Sequence, residues 1–242
     1  MPNSEPLVSI VVPALNEANG IGAALATVVD QPGAWEVIVA DGGSDDGTVE
    51  AVRAALPEAT VVDAPRGRGV QMNRGAAAAR GDVLLFLHAD TRLPDGALDA
   101  VHEAVRSGAA GGCFETTFDV DPSASAFSPA GRAFMRLWEA RLWMRWHRFA
   151  FGDRAIFCTR AAFETAGGYP ERPLFEDLDL VRALRRQGQF VFLDAAVVTS
   201  ARRYRRHGAV GQQVRNLGLW LGWNLGVDPA RLKQFYSDAD RG

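Results

Sequence analysis

The sequence predicts an α/β fold with a mostly parallel central sheet and helices on both faces. Two observations predict it. Short β-branched runs alternate with helical patterns through the first half of the chain, and these runs are continuously apolar. Strands that are buried on both faces have this character, and crossover helices join them in parallel. The chain has 242 residues, 48% of them hydrophobic, and no linker-like stretch, so one domain is expected.

Four strand–helix pairs fill the first half. The strands are expected at 7–13 (LVSIVVP), 36–41 (EVIVAD), 60–64 (TVVDA) and 82–90 (DVLLFLHAD), and the helices at 17–29 and near 46–55, 69–79 and 94–106. The second half is less regular. It predicts strands at 111–119, 154–160 and 197–204, an aromatic and arginine-rich helix near 130–147, a helix at 175–188, and one or two final helices.

Composition narrows the classes of function. A net charge of -3 gives no indication of nucleic-acid binding. The two cysteines, Cys113 and Cys158, lie in apolar settings and are expected to be small core residues in a reduced compartment. The N-terminus has no signal-peptide pattern, and the longest apolar stretch, 217–227, is too short for a membrane span. We therefore expect a cytoplasmic protein, attached at most to a membrane surface.

Polar side chains cluster where three of the predicted strands end. Asn16 and Glu17 follow the first strand, Asp41 ends the second, and His88 and Asp90 end the fourth. Ligands of open parallel sheets bind beyond the carboxyl ends of the strands, so these residues could hold one polar ligand. The structural alternative stays open for each of them, because Asn16 and the aspartates at 45 and 46 could cap helices instead.

Several ligand motifs are missing. The chain has no P-loop, GRGVQMNRG lacks the third glycine of a dinucleotide fingerprint, and DGGSDDG has the wrong residues for a calcium loop. A carboxylate-based site without a phosphate-cradling loop would need a cation to hold a diphosphate. Asp90 suits Mg²⁺ or Mn²⁺, and His88 suits Mn²⁺ or a hydrogen bond.

A second group of acids lies in LFEDLDL. Glu176, Asp177 and Asp179 fall in the first turn of a predicted helix, after a loop rich in glycine and proline. Acids there complement the helix dipole. Loops of this kind also commonly carry site residues. The spacing alone leaves both interpretations open.

Taken together, these segments resemble the inverting family 2 glycosyltransferases. VSIVVPALNEANGIGAALATV is similar to the opening segment of that family, and VIVADGGSDDGTVEAV to its second strand and turn. NRGAAAARGDVLLFLHADTRLP resembles the segment that ends in the D-x-D metal motif, and GGYPERPLFEDLDLVRALRRQG the acceptor-side segment. GRGVQMN, FLHADTRLP and TSARRYRRHG are most similar to a small bacterial subgroup described as arsenosugar-biosynthesis glycosyltransferases.

The resemblance implies a GT-A fold, the Rossmann-like fold of nucleotide-diphospho-sugar transferases. Within one domain, 1–110 would bind the nucleotide sugar, 111–205 would hold the acceptor and catalytic half, and 206–242 would be a helical tail. The implied activity is metal-dependent, inverting transfer of a sugar from a nucleotide sugar, most often a UDP-sugar, to an acceptor hydroxyl. The acceptor would be a small molecule or lipid-linked, and the cofactor Mn²⁺ or Mg²⁺.

The resemblance also assigns roles to individual residues. Asp177, or alternatively Glu176, would be the general base, and Asp90 would bind the cation. The donor contacts would be Pro13, Ala14, Asn16, Glu17, Asp41, Arg68, Asn73, His88, Ala89 and Asp90.

The chain departs from the family pattern at three positions. His88 replaces the first aspartate of D-x-D, Met72 stands where many relatives carry an arginine, and Asn216 stands in QQVRN where processive relatives carry tryptophan. The donor-side cation is therefore expected from Arg68 or Arg74. His207 is a further candidate metal ligand, with a solvated basic turn as the alternative.

Trp138, Trp143 and Trp146 lie among arginines in the helix near 130–147. Core packing, acceptor binding and contact with an anionic membrane all fit this pattern. Three alternative functions remain for the whole chain. They are a catalytically inactive nucleotide-sugar-binding protein, a membrane-surface scaffold, and a sugar-phosphate nucleotidyltransferase. The last would normally have a glycine-rich, basic loop after its first strand, and the segment PALNEANG does not have that character. The sequence does not indicate an oligomeric state.

Overall fold

The structure is a computed structural model and describes residues 6–119, 154–202 and 209–237. The strands in these ranges are β1 (Val8–Ala14), β2 (Trp35–Asp41), β3 (Thr60–Asp63), β4 (Val83–Phe86), β5 (Thr91–Arg92), β6 (Ala109–Asp119), β7 (Ile156–Thr159) and β8 (Gln189–Ser200). The helices are α1 (Ile21–Val29), α2 (Thr48–Ala55), α3 (Arg68–Ala78), α4 (Ala97–Arg106), α5 (Arg160–Ala166), α6 (Glu176–Gln187), α7 (Ala209–Asn224) and α8 (Pro229–Ser237).

All of these strands join one sheet in the order β3-β2-β1-β4-β7-β6-β8-β5. The pairs among β1 to β4 are parallel, as is the pair of β6 with β8. β7 runs antiparallel to β4 and β6, and β5 runs antiparallel to β8. The predicted mostly parallel sheet is confirmed. Because β1 lies between β2 and β4, the carboxyl ends of these three strands meet at one edge.

Helices cover both faces of the sheet, as predicted. On one face Leu25 of α1, Val52 of α2 and Leu98 of α4 pack in a core with alternate residues of β1. On the other face, Met72 of α3 and Leu184 of α6 pack with α5 and the opposite side of the strands. The side chains of Cys113 and Cys158 are buried in the second core and form no disulfide, so the expectation that both are small core residues is confirmed. Burial raises the pKa of the Cys158 thiol, which therefore stays protonated at neutral pH.

Several boundaries differ from those predicted. α1 begins at Ile21 instead of 17, because residues 17–20 form a turn in which the Glu17 carbonyl accepts from two amides. β8 begins at Gln189 instead of 197, because its first half pairs with β6. α5 was missed, although Thr159 accepts from the amide of Ala162 at its start.

The predicted helix near 130–147 lies outside the described residues. Among the helices of 6–119, 154–202 and 209–237, none combines the length and the apolar character that a bilayer span requires.

Candidate functional site

The loops after β1 and β2 are cross-linked at the carboxyl edge of the sheet. The backbone amide of Asn16 donates to Ser44 Oγ at 3.0 Å, and Asn16 Oδ1 accepts from the amide of Asp45 at 3.1 Å. The amide of Glu17 donates to Thr48 Oγ1 at 2.9 Å. Among the described residues no side chain caps α1, so Asn16 joins two strand ends and does not cap that helix.

Asn16 also has an unusual backbone. Its φ of 55° lies in the left-handed region, which non-glycine residues seldom adopt. Asn tolerates this conformation better than most residues, because its short side chain can bond to nearby backbone. The turn that follows β1 is therefore held by a strained residue whose side chain is fixed by the second loop.

Asp46 fastens the same two loops from the other side. Its carboxylate accepts from the amide of Ala18 at 3.1 Å and from the amide of Thr48 at 3.0 Å. The hydroxyl of Thr48 donates to it as well. These bonds, above all that from the Thr48 hydroxyl, lower the pKa of Asp46 below its usual range. The ionised form of Asp46 therefore helps to hold the site together.

Asp41 shapes the loop that follows it. One carboxylate oxygen accepts from the amides of Gly43 and Ser44 at 3.0 and 2.9 Å, and the other accepts from the Ser44 hydroxyl. The residue is 5% exposed. Three hydrogen bonds from its own loop fix the carboxylate of Asp41 in place. A carboxylate can accept about four hydrogen bonds, so Asp41 can still accept one from a ligand.

Gln71 joins the ends of β1 and β2 from α3. Its side-chain amide donates to the carbonyl of Ala14 at 2.7 Å and to that of Ala40 at 2.9 Å. The side chain is buried, and Gly42 approaches it so closely that a Cβ there would lie 3.0 Å from Gln71 Nε2. Sequence reasoning missed this residue. Its signal was an amide among the apolar residues of GRGVQMN.

Asp90 lies at the same edge, after β4. The amide of Thr91 donates to the carbonyl of His88 at 3.0 Å, and this turn places Asp90 between the half-buried His88 and the two-residue strand β5. A Cβ added to Gly20 would lie within 4 Å of three groups: the carbonyl of Ala89, the carboxylate of Glu17 and the Cβ of Asp90. The structure thus brings the predicted tips of β1 and β4 into contact.

Arg202 connects these two tips. Its guanidinium donates to both carboxylate oxygens of Glu17, one of them at 2.8 Å. The same guanidinium lies 3.4 Å from Oδ2 of Asp90. Arg202 was not among the predicted site residues. The pairing of β8 with β5, which sequence spacing does not reveal, is what brings Arg202 to the acids.

The acidic turn begins α6. Phe175, with φ 63°, turns the chain into the helix, and its ring stacks on Trp223 with centroids 5.0 Å apart. Glu176 and Asp177 are 1% and 4% exposed. Arg68 of α3 forms an ion pair with Glu176, and Asp177 Oδ1 accepts from the amide of Leu178 at 2.8 Å.

α3 holds the segment before this turn. Asn73 makes two hydrogen bonds of 2.8 Å with the backbone of Tyr169. A Cβ on Gly69 would lie 2.9 Å from the carbonyl of Pro170. Arg68 and Asn73, both predicted as donor contacts, therefore lie against the acceptor-side segment, and α3 joins the two predicted halves of the site.

The donor set fits a divalent cation that is shared with a ligand. The described residues contain no group of three or more His, Cys, Asp or Glu side chains that could hold a metal ion alone. Mg²⁺ is typically bound by one or two carboxylates together with substrate phosphates. Asp90 and Glu17, which are joined through Arg202, are two such carboxylates. Because the guanidinium of Arg202 lies between them, this part of the sheet edge favours a positive charge.

The other predicted residues differ in where they lie. Pro13 is half-buried at the carboxyl end of β1, within the candidate site, whereas Arg74 is exposed on α3 and away from it. His207 and the three tryptophans near 130–147 fall outside the described residues. A cleft of about 430 Å³ opens beside α5 and α6, lined by residues that include Gly168, Asp179 and Arg182. Neither Asp90 nor Asp177 lines it; its lining comes from α5, α6 and the loop between them.

Comparison with known sequences gives one family. The sequence model described as "Glycosyl transferase family 2" matches residues 9–160. A PGL/p-HBAD biosynthesis glycosyltransferase of Mycobacterium bovis is 37% identical over 94 residues, which are 36% of this chain and 37% of the relative. A glucosyl-3-phosphoglycerate synthase of Mycolicibacterium smegmatis is 38% identical over 100 residues, 36% of this chain and 32% of that protein. The matched stretches thus span about a third of the length of these curated relatives.

Solved structures share the fold. A mannosyltransferase of Pyrobaculum calidifontis, solved in complex with GDP-Man and Mn²⁺, superposes on this chain with a TM-score of 0.60 at 21% identity. The superposition covers 86% of this chain and 63% of the mannosyltransferase chain. TarS 1-349 of S. aureus, in complex with UDP-GlcNAc, superposes with a TM-score of 0.60 at 16% identity. That superposition covers 80% of this chain and 58% of the TarS chain. These likenesses confirm the predicted glycosyltransferase fold.

Proposed function

Because the chain belongs to glycosyl transferase family 2, we propose that it transfers a sugar from a nucleotide sugar to an acceptor hydroxyl, with inversion at the anomeric carbon. One observation carries the proposal: the tips of β1, β2 and β4 meet at one edge of the sheet, where Glu17 and Asp90 share Arg202. Ligands of parallel α/β sheets bind at such an edge.

The donor would lie across this edge. The nucleoside would bind at the loops after β1 and β2, which are lined by Asn16, Glu17 and Asp41. Pro13 and Ala14, at the end of β1, would lie beside it. The diphosphate would lie near His88, Ala89 and Asp90. We propose a UDP-sugar, as the family resemblance implies. The structural neighbours were crystallised with UDP-GlcNAc in one case and GDP-Man in another, so guanine nucleotides belong in the same test.

A divalent cation, Mn²⁺ or Mg²⁺, bound at Asp90 would act as a Lewis acid on the diphosphate. The residues of the chain do the rest. As the family resemblance implies, Asp177 is the general base that we propose, while Glu176 forms an ion pair with Arg68. Asp177 would take the proton of the acceptor hydroxyl as that oxygen bonds to the anomeric carbon and the bond to the diphosphate breaks. Base catalysis of this kind contributes roughly 10²–10⁴-fold.

The acceptor stays open between a small molecule and a lipid-linked one. The two relatives named above differ in what their names say they make, so similarity to them does not select an acceptor. We propose a cytoplasmic site of action with peripheral membrane contact only where the acceptor is lipid-linked. Flotation with anionic vesicles tests that contact.

Calorimetric titration with UDP and GDP, with Mn²⁺, with Mg²⁺ and without metal, tests the donor site. We expect metal-dependent binding of UDP that Asp90→Asn abolishes and that Asp177→Asn retains. Asp95→Asn, at an exposed aspartate five residues along the chain, is the matched control and should bind like the unmodified protein. No binding of either nucleotide under any condition would contradict the proposal.

Turnover separates an enzyme from a binding protein. With a UDP-sugar and an acceptor mixture, release of UDP should fall by about 10²-fold or more in Asp177→Asn, because the base is lost while donor binding persists. Donor binding that is never followed by transfer would favour the catalytically inactive binding protein.

A further inference from the structure

The guanidinium of Arg202 lies between two carboxylates of the proposed donor site. The pairing of two strands sets its position. β5 and β8 pair antiparallel, with Thr91 opposite Thr199, and their hydroxyls hydrogen-bond at 3.0 Å. The amide of Ser200 donates to the carbonyl of Asp90 at 3.2 Å. Arg202, two residues further on, is therefore delivered to Asp90 by backbone pairing.

The three charged side chains form a compact group. The guanidinium makes a two-pronged contact with Glu17 and lies 3.4 Å from Asp90 Oδ2. The side chains of Glu17 and Asp90 are 16% and 22% exposed, whereas that of Arg202 is 48% exposed. Two carboxylates that are largely out of water would repel each other without this cation.

We propose that Arg202 is an internal counter-cation of the donor site, which holds Glu17 and Asp90 together in the unloaded protein and disfavours a metal ion there until a nucleotide diphosphate arrives. The inference deepens the proposed function and rests on it for the identity of the ligand. It adds a residue and a binding order that the family assignment does not supply.

Electrostatics gives the reason. A divalent cation held by Asp90 would bind the carboxylate that lies 3.4 Å from the Arg202 guanidinium. It would then face the guanidinium within a few ångströms, and like charges at that distance oppose each other. A diphosphate brings enough negative charge for both cations. Metal binding should therefore be weak alone and strong with the nucleotide.

Titration of Mn²⁺ alone, followed by the loss of the free-ion signal in electron paramagnetic resonance, tests this directly. Arg202→Met should bind Mn²⁺ about tenfold or more tightly than the unmodified protein, as expected when a positive charge is removed from beside the metal. Arg202→Lys keeps the charge and should bind as weakly as the unmodified protein. Arg92→Met, which removes an arginine paired with Asp119 at 3.1 Å, is the matched control and should change nothing.

A double variant locates the effect. Arg202→Met combined with Asp90→Asn should lose the gain in Mn²⁺ affinity, because Asp90 supplies the carboxylate. Circular dichroism checks that each variant is folded. The inference is overturned if Arg202→Met binds Mn²⁺ no more tightly than the unmodified protein, if Arg202→Lys gains as much as Arg202→Met, or if the gain persists without Asp90.

Adding UDP separates this inference from the proposed function. UDP should strengthen Mn²⁺ binding in the unmodified protein, and by a smaller factor in Arg202→Met, where the metal already binds well alone. An equal factor in both proteins would contradict the binding order. Absence of any UDP effect in the unmodified protein would count against the donor site itself, whereas the titrations with metal alone contain no nucleotide and judge Arg202 independently.

Discussion

Asn73 and Tyr169, 96 residues apart in the chain, are joined by a reciprocal pair of hydrogen bonds. The side-chain amide of Asn73 donates to the Tyr169 carbonyl, and the Tyr169 amide donates to Asn73 Oδ1, both at 2.8 Å. Tyr169 is 2% exposed and packs edge-on against Phe86. Burial raises the pKa of its phenol well above the usual range. One side chain of the predicted nucleotide-sugar-binding half thus holds the segment that leads to the proposed base.

Asn73→Ala should destabilise the protein by about 1–3 kcal/mol, because it leaves a buried backbone donor and acceptor unsatisfied. Denaturant unfolding measures the loss. Asn19→Ala, at an exposed asparagine, is the matched control and should stay within about 0.5 kcal/mol. Transfer should fall as well, since the chain before Asp177 is released. An Asn73 variant as stable and active as the control would show that this pair does not position the acidic turn.

Gly75 lets α3 lie against β1. A Cβ there would stand 2.4 Å from Val11 Cγ1, and Val11 is fully buried, so its stiff side chain cannot move aside. Gly75→Ala should therefore destabilise by about 1–3 kcal/mol despite the better helix propensity of alanine. It should also weaken UDP binding, because α3 carries Gln71.

The control for Gly75 is the same substitution in open space. Gly218 lies within α7 and is exposed, and among the described residues a Cβ there would meet nothing within 4 Å beyond the backbone of its own helix. Gly218→Ala should be neutral or stabilise by up to about 1 kcal/mol. The melting temperature should fall in Gly75→Ala and should stay the same or rise in Gly218→Ala. Shifts of the same sign would contradict the close approach of α3 to the sheet.

The order of the first strands and helices could be predicted because continuous apolar runs and helical periodicity are local signals. The strand-tip site could be predicted for the same reason, since Asn16, Asp41 and Asp90 each follow an apolar run directly. Their convergence needed only the rule that parallel strands end at one edge.

Arg202 and Gln71 could not be assigned in this way. Each is placed by pairing between distant segments: β8 with β5 for Arg202, and α3 against the ends of β1 and β2 for Gln71. Sequence spacing carries no record of such contacts. The same holds for the ion pair of Arg68 with Glu176, which joins α3 to the start of α6.

Because of Asp46, the stability of the folded protein should depend on pH in the acid range. Its pKa is lowered in the folded protein by bonds from Thr48 and Ala18, so its contribution is fully present above the unfolded pKa of about 3.9 and is lost as pH falls through the lower folded pKa. Asp46→Asn should lower the melting temperature at pH 7 and lose that difference in strong acid. Asp30→Asn controls for the removal of an exposed carboxylate. A gap between the Asp46 variant and the unmodified protein that stays constant down to the lowest pH would contradict the role of the ionised form.

The ion pair of Arg68 with Glu176 should respond unequally to the loss of either partner. The Glu176 side chain is 2% exposed and that of Arg68 is 38% exposed. Arg68→Met leaves a buried carboxylate without its cation and should cost about 1–3 kcal/mol, less than for a fully buried pair because water reaches Arg68. Glu176→Gln leaves an arginine that water can solvate and an amide oxygen that still accepts its bond, so it should cost less than about 1 kcal/mol.

A double-mutant cycle completes this prediction. Arg68→Met with Glu176→Gln should be more stable than Arg68→Met alone, because the uncompensated buried charge is removed. Arg106→Met breaks the pair with Glu103, whose partners are 57% and 68% exposed, and should cost no more than about 0.5 kcal/mol. Equal costs for the two single variants at the Arg68 pair, or no recovery in the double variant, would mean that Glu176 is not held as a buried carboxylate by Arg68. Glu176 would then compete with Asp177 as the base.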